Sequence, residues 1–202
     1  MSLVRWSCIV IAFLLASCAS ASPRFYTLVP ESKRNPSGAV AAGYRLQVDR
    51  VRIPAQVDRM ELVTRLPDGG ITIADGERWI APVADELQNA LSVELLRRLG
   101  SADSAAAKGA AVSVRLDVER FESSPNQYAL IEASWHLELK GAAKDFRVVC
   151  RTRAYEPVSG GGYPEMVRGY QRALELIADQ IAAVAQESVE REGGECPGPR
   201  KS

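Results

Sequence analysis

The residue whose surroundings most clearly specify a chemistry is Cys18. It follows Arg5, an apolar run over residues 8–15 and two small residues, an arrangement typical of the bacterial lipoprotein signal. We therefore expect residues 1–17 to be a signal peptide and Cys18 to be the lipidated first residue of the mature chain. At about 0.8 kcal/mol per buried CH₂, two or three acyl chains hold a protein stably at a bilayer. The alternative is an ordinary signal peptide that happens to contain a cysteine.

The residue after Cys18 predicts the membrane. Bacteria that sort lipoproteins commonly retain them in the inner membrane with an aspartate at this position, and here it is Ala19. We expect a location in the outer membrane, on the periplasmic leaflet. The mature sequence contains no run of 18 or more apolar residues, which a spanning helix needs, so the lipid is the expected anchor.

Other residues that could carry chemistry do not form a catalytic pattern. His136 is the one histidine of the chain and lies in a predicted strand without a nucleophile motif around it. Residues 160–162 are three glycines but lack the Lys-Ser/Thr of a phosphate-binding loop, so we interpret them as a hinge. Asp85 and Glu86 open a helix, where they favour its dipole and need no further role. We expect no enzyme activity, no cofactor and no metal site.

The cysteines of the mature domain admit two interpretations. Once Cys8 is removed with the signal and Cys18 is acylated, Cys150 and Cys196 remain in an oxidising compartment, which favours a disulfide. The competing interpretation places Cys150 in a strand core and leaves Cys196 as a free thiol in the tail.

The elements that would position these residues follow from apolar periodicity. A strand begins at residue 44, and a hairpin is predicted over 60–73 around the turn Pro67-Asp68-Gly69-Gly70. A helix over 82–99 is expected to end at Gly100. Three alternating strands between 112 and 153 and a helix of roughly 40 Å from residue 163 complete the chain.

These elements predict a two-layer α+β domain, with a mostly antiparallel sheet and two amphipathic helices packed on one face. Because a helix lies between strands, we expect one parallel crossover. The expected boundaries are residues 18–43 for the lipidated cysteine, tether and first extended segment, 44–192 for the domain, and 193–202 for a polar tail. The balance of 25 Lys+Arg against 25 Asp+Glu, without a basic block, argues against nucleic-acid binding.

Several short motifs, in order behind Cys18, resemble the ABC-type transport auxiliary lipoproteins, the PqiC/YmbA-like group. Individually each motif is weak, but they keep the order of that family over nearly all of the mature chain. They are Tyr26-Thr27-Leu28, Pro54, Asp58-Arg59 with Leu62-Val63-Thr64-Arg65, Arg78-Trp79 with Ala81-Pro82, and Leu96-Arg97-Arg98-Leu99.

The resemblance implies a function. Such lipoproteins accompany an ABC transporter and an MCE-domain protein that moves lipid between the two membranes, so this chain would dock the MCE protein at the outer membrane, as a homo-oligomer. Ionic and aromatic contacts are suited to such an interface, and the candidate partner-binding residues are Asp58, Arg59, Arg65, Arg78 and Trp79.

Each candidate also has a structural interpretation. Asp58 and Arg59 could shape a turn, Arg65 could form a surface ion pair, and Trp79 could pack against the helix that follows it. Two other functional classes remain: a stand-alone carrier that holds a lipid in its own cavity, and an envelope hydrolase, which the missing motifs disfavour.

Overall fold

The computed structural model describes residues 22–31, 44–100, 111–141, 145–191 and 193–198. The signal peptide, Cys18 and the linker 101–110 lie outside these ranges, as does most of the loop before residue 44. The elements are β1 (Arg24–Tyr26), β2 (Arg45–Val48), β3 (Glu61–Arg65), β4 (Ile71–Trp79), α1 (Val83–Leu99), β5 (Ala111–Ser124), β6 (Tyr128–Lys140), β7 (Phe146–Pro157) and α2 (Gly162–Arg191).

The larger sheet has the strand order β2-β5-β6-β7 and carries most of the core. Its three long strands pair antiparallel, as their alternating sequences predict, while β2 pairs parallel with β5. One face is apolar, with residues such as Leu116, Ile131 and Trp135 fully buried. The other face is polar and carries cross-strand ion pairs, including Arg151 with Glu132 at 3.0 Å.

Both helices cover the apolar face of the larger sheet. α2, with 30 residues and about 45 Å of length, packs on β6 and β7, and α1 packs against α2 and β2. The predicted apolar stripe of α1 is buried, including Leu87, Leu91 and Leu95. Arg98 joins the helices, because its Nε donates to Asp179 Oδ1 at 2.6 Å and its Nη1 bonds to Glu94 within α1. In the part of the chain that the structure describes, no helix is long and apolar enough to cross a membrane.

α2 approaches the sheet closely near its first turns because a glycine lies at the contact. A methyl group at Gly169 would lie 2.8 Å from Val158 Cγ2 and 3.0 Å from Ala129 Cβ. Carbon atoms at van der Waals contact are about 3.5–4.0 Å apart. The absence of a side chain therefore sets the distance between helix and sheet at this point.

A second sheet holds the N-terminal segment, with the strand order β1-β4-β3. β3 and β4 form the predicted hairpin, and β1 pairs parallel with the end of β4, with Tyr26 opposite Trp79. Tyr26 Oη donates to Glu77 Oε2 at 2.6 Å, and burial together with this hydrogen bond raises the pKa of Tyr26 to about 12. Arg24 bonds to the same carboxylate. The first extended segment is thus part of the folded domain, which begins before residue 44.

A buried carboxylate completes this attachment. Glu86, in the first turn of α1, is 3% exposed. Its Oε2 accepts the Leu28 amide and the Thr27 hydroxyl, each at 2.8 Å, while Gln171 of α2 donates to the Thr27 carbonyl at 3.0 Å. The interpretation that Glu86 needs no role beyond the helix dipole is wrong, because it pairs the backbone of the N-terminal segment inside the core.

The predicted α+β class is confirmed, with three differences of detail. The strands divide into two sheets rather than one, and each sheet contains a parallel pair. β4 runs to Trp79, whereas alternation in the sequence ends near Ile73. Pairing with β1 and the hydrogen bond from the Trp79 amide to the Met60 carbonyl, at 2.6 Å, hold the polar second half of β4 extended.

Candidate partner-binding surface

Arg65 connects the hairpin to the larger sheet. It lies at the end of β3, and its Nη2 donates to Glu122 Oε2 of β5 at 2.8 Å, with the side chain 40% exposed. Arg120 and Tyr128 donate to the other oxygen of Glu122, at 3.0 and 2.6 Å. Burial of this carboxylate acts to raise its pKa, but the hydrogen bonds from Arg65 and Tyr128 outweigh it, so the pKa of Glu122 is lowered. Arg65 therefore links β3 to β5 through its ion pair, and part of its side chain stays exposed to solvent.

Beside this ion pair, an open groove of about 420 Å³ runs between the hairpin and β5. It is lined by apolar residues from both sheets and from the loop before β3, and by the charged residues around Glu122. They are Pro54, Val57, Val63, Ile71 and Phe121, with Arg65, Glu119, Arg120 and Glu122. Apolar walls with a charged rim are the chemistry of a protein interface.

The hairpin also exposes a group of apolar side chains next to the groove. Ile71 is 57% exposed, Ile73 42% and Leu66 39%. Ile73 pairs with Val63 and Ile71 with Arg65 across the two strands, so these four side chains share one face. We call Ile71 and Ile73, together with the groove, the hairpin surface; Leu66 alternates to the opposite face and is not part of it. Adjacent exposed apolar residues of this kind mark contact sites.

Arg59 and Arg78 lie at the other end of the hairpin, away from Arg65. Arg59 Nε donates to Glu61 Oε2 at 3.0 Å, and Arg78 Nη2 lies 3.8 Å from Glu61 Oε1. The hydrogen bond from Arg59 is the main cause that lowers the pKa of Glu61. Both arginine side chains are about 40% exposed. Four residues of strand, about 13 Å, separate Glu61 from Arg65, so the predicted cations form two sites rather than one.

Asp58 caps α1 from a distant loop. The helix begins after Pro82, whose side chain cannot cap it. Asp58 Oδ1 accepts the Ala84 amide at 3.0 Å and so satisfies one of the free amides of the first turn. Asp58 therefore helps to place α1, although it is an exposed residue.

Trp79 lies in the core and not on the surface. It is 1% exposed, and its ring centroid lies 6.1 Å from Phe121 and 6.0 Å from Tyr170 in edge-to-face geometry. Phe121 and Tyr170 stack at 4.1 Å. The prediction of Trp79 as an interface anchor is wrong, because a side chain buried among elements of its own subunit cannot reach a partner. This aromatic cluster joins β4, β5 and α2.

The two cysteines of the mature domain are bonded in the structure. A disulfide joins Cys150 of β7 to Cys196, with 5.4 Å between the Cα atoms. Cys150 is 4% exposed. The bond holds the segment after α2 against the last strand of the larger sheet.

His136 belongs to the polar face of the larger sheet, as predicted. Its Nε2 lies 3.3 Å from Asp117 Oδ2, and its Nδ1 is 3.1 Å from Arg115 Nη2. Arg52 also bonds to Asp117 through both carboxylate oxygens, at 2.5 and 2.8 Å, and this is the main cause that lowers the pKa of Asp117. His136 is therefore one member of a network of polar and charged side chains on this face.

The fold and this surface define a class: a two-layer α+β domain whose candidate site is an open groove with apolar walls and ion-paired arginines, the chemistry of a binding domain. Over residues 26–182 the chain matches the family described as the ABC-type transport auxiliary lipoprotein component. The chain belongs to this family and is an auxiliary lipoprotein of ABC-type transport, which confirms the resemblance drawn from its motifs.

Solved structures share the fold. One is a crystal structure of an uncharacterized protein, with a TM-score of 0.61 and 18% identity over 81% of this chain and 98% of that chain. Another is protein XCC0632 from Xanthomonas campestris, of the DUF330 family, with a TM-score of 0.50 and 14% identity over 84% of this chain and 94% of that chain. A comparison with curated proteins found no match.

The sequence analysis missed the residues of the groove other than Arg65. Ile71, Phe121 and Glu122 come from two separate sheets. The sequence around each residue is that of an ordinary strand and gives no indication of a shared groove. The clearest indication in the sequence was Ile71-Thr72-Ile73, which places two isoleucines on one face of a strand next to a turn. Apolar side chains grouped at such an exposed position can indicate an interaction site.

Proposed function

We propose that this protein is a non-catalytic subunit of an ABC/MCE-type lipid transport system, anchored in the periplasmic leaflet of the outer membrane through lipidated Cys18. In this function it docks the periplasm-spanning MCE-domain protein and acts as a homo-oligomer. Membership of an auxiliary lipoprotein family supports the general function. The lipoprotein signal ending in Cys18, followed by Ala19 rather than aspartate, supports the location.

The hairpin surface is the proposed docking site. The observation that carries this assignment is the exposure of Ile71, at 57%, on the wall of a groove whose rim carries Arg65. Apolar side chains at the centre of an interface contribute most of its free energy, while surrounding charges set orientation. Arg65 suits the second task, because Glu122 already fixes its position.

A carrier with its own internal lipid cavity is the weaker candidate. The region between sheets and helices is filled by side chains such as Trp79, Phe121 and Tyr170, which contact one another. The groove beside it is open to solvent and has a charged rim. Both features suit a protein contact better than an enclosed lipid.

Affinity capture of the lipoprotein with matched variants tests the docking site. We expect Ile71→Ser to reduce capture of the MCE-domain protein at least about fivefold, as for an interface residue contributing more than 1 kcal/mol. Val149→Ser is the control, since Val149 is also β-branched, 53% exposed and in a strand, but on the polar face of the larger sheet. Equal losses in the two variants, or none in either, would remove the hairpin surface from the interface.

A further inference from the structure

We propose that the end of the small sheet carrying Phe25 and Ile80 lies on the phospholipid bilayer, with both side chains inserted among the lipid headgroups. This orientation rests on the lipid anchor in the proposed function. It adds a second, protein-borne membrane contact and states which end of the domain faces the lipid.

The two side chains are unusual for their exposure. Phe25 is 55% exposed and Ile80 62%, although both lie beside well-packed strands. The Ile80 amide donates to the Tyr26 carbonyl at 2.9 Å, and Phe25 is opposite Arg78 in the parallel pair, so the two residues lie at the same end of the sheet. Burial of a large apolar side chain contributes about 1.5–3 kcal/mol of stabilisation. Phe25 and Ile80 gain only part of this while they face water.

The short connection to the anchor identifies the surface that covers them. Six residue steps separate Cys18 from Arg24, and a fully extended chain spans at most about 3.6 Å per residue, so β1 lies within about 22 Å of the lipidated cysteine. A folded domain held this close brings the exposed end of β1 to the bilayer more readily than to any partner deeper in the periplasm.

The chemistry of this end fits a bilayer interface. Aromatic and aliphatic side chains enter the headgroup region while basic groups remain at the phosphates. Arg24 is adjacent to Phe25, and its side chain is 64% exposed even though it bonds to Glu77. This exposure leaves part of the guanidinium accessible to lipid phosphate.

The length of β4 separates this contact from the docking site. Nine residues span about 26 Å, with Ile80 following one end and Ile71 at the other. If the first end rests on the membrane, the hairpin surface points into the periplasm, where a partner can reach it. One strand therefore sets the distance between the two contacts.

Fluorescence quenching in brominated bilayers tests the orientation. The mature lipidated protein is incorporated into phosphatidylcholine vesicles with or without bromine on the acyl chains, as Phe25→Trp and, for the control, as Ile71→Trp. These positions are similarly exposed, at 55% and 57%, and lie at opposite ends of the small sheet. Buried Trp79 and Trp135 give a background that the wild type measures.

We expect bromine to reduce the emission of the tryptophan added at position 25 at least twofold and to leave that at position 71 unchanged. Equal quenching at both positions would overturn the orientation. No quenching at position 25, in protein that still floats with the vesicles, would overturn the membrane contact and retain the lipid anchor. In that case, crosslinks from position 25 to a second copy or to the MCE-domain protein would identify what covers Phe25. Failure to float would overturn the anchor itself.

Discussion

Replacement of Trp79 by alanine separates the two functions proposed for this residue. The side chain is 1% exposed and contacts Phe121 and Tyr170 edge to face. It also connects three elements, since these partners come from β5 and α2. The variant therefore removes a core side chain, while the exposed residues of the hairpin surface, Ile71 and Arg65, keep their own side chains.

The expected loss of stability follows from these contacts. Truncation of a buried tryptophan costs about 3–5 kcal/mol, and each edge-to-face pair contributes about 0.5–1.5 kcal/mol of the interaction. We expect Trp79→Ala to lower the free energy of unfolding by about 4 kcal/mol. With a urea m-value of about 2 kcal/mol per molar, the midpoint falls by about 2 M. Trp79→Phe should lose less than half of this, because an aromatic ring remains in the cluster.

The assay is urea unfolding followed by circular dichroism, combined with affinity capture normalised to folded protein. Packing in the core predicts a large shift of the midpoint and unchanged capture of the MCE-domain protein per folded molecule. A shift below about 0.5 M, equivalent to about 1 kcal/mol, with reduced capture would refute the reasoning and return Trp79 to the interface.

Three further changes test other contacts. Gly169→Ala should destabilise the protein by about 1–3 kcal/mol through overpacking, despite the better helix propensity of alanine, and a raised thermal midpoint would contradict the close approach to the sheet. Arg65→Ala should raise the pKa of Glu122, measured by NMR titration, because it removes a hydrogen bond that lowers this pKa. In the wild type, the contacts of ionised Glu122 stabilise the folded state at pH values above the ordinary pKa range of glutamate. This stabilisation is lost as the pH falls through the lowered pKa. An unchanged pKa of Glu122 in the variant would refute the hydrogen bond from Arg65. Cys196→Ser should cost up to about 4 kcal/mol of stability from the loop that Cys150–Cys196 closes, and two free thiols in the purified wild type would contradict the disulfide.

The parts of the fold that the sequence predicted best are those with one dry and one wet face. Strands β5–β7 alternate because one side of the larger sheet packs on the helices. The apolar stripe predicted α1 for the same reason, because only one face of that helix is buried. Gly100 correctly predicted where the helix ends. Local pattern and tertiary environment agree in these segments.

Prediction was weakest where a distant contact decides the local structure. The second half of β4, with Asp75, Gly76 and Glu77, has no apolar alternation, and the pairing with β1 about 50 residues earlier keeps it extended. From the sequence, Glu86 is expected only to favour the helix dipole, whereas its burial depends on hydrogen bonds from the Thr27 hydroxyl and the Leu28 amide. Division of the strands into two sheets has no local signal at all.

The candidate site was predicted in part for a similar reason. The motif residues correctly indicated the hairpin, but they included both surface cations and residues that stabilise the fold. Asp58 caps α1 and Trp79 fills the core, while Arg65 lies at the groove. Burial identifies Trp79 as a support, and the hydrogen bond from the Ala84 amide identifies Asp58. Both depend on how distant elements are arranged, which residue type alone does not specify.

The central claim is that the lipoprotein docks an MCE-domain protein at the outer membrane. Its most direct test is purification of the full-length lipoprotein in mild detergent from its own outer-membrane fraction, with identification by mass spectrometry of everything that accompanies it. The account predicts an MCE-domain protein in the purified material, in amounts comparable to the lipoprotein. Recovery of the lipoprotein with a bound lipid and no MCE-domain protein would contradict it and favour a carrier.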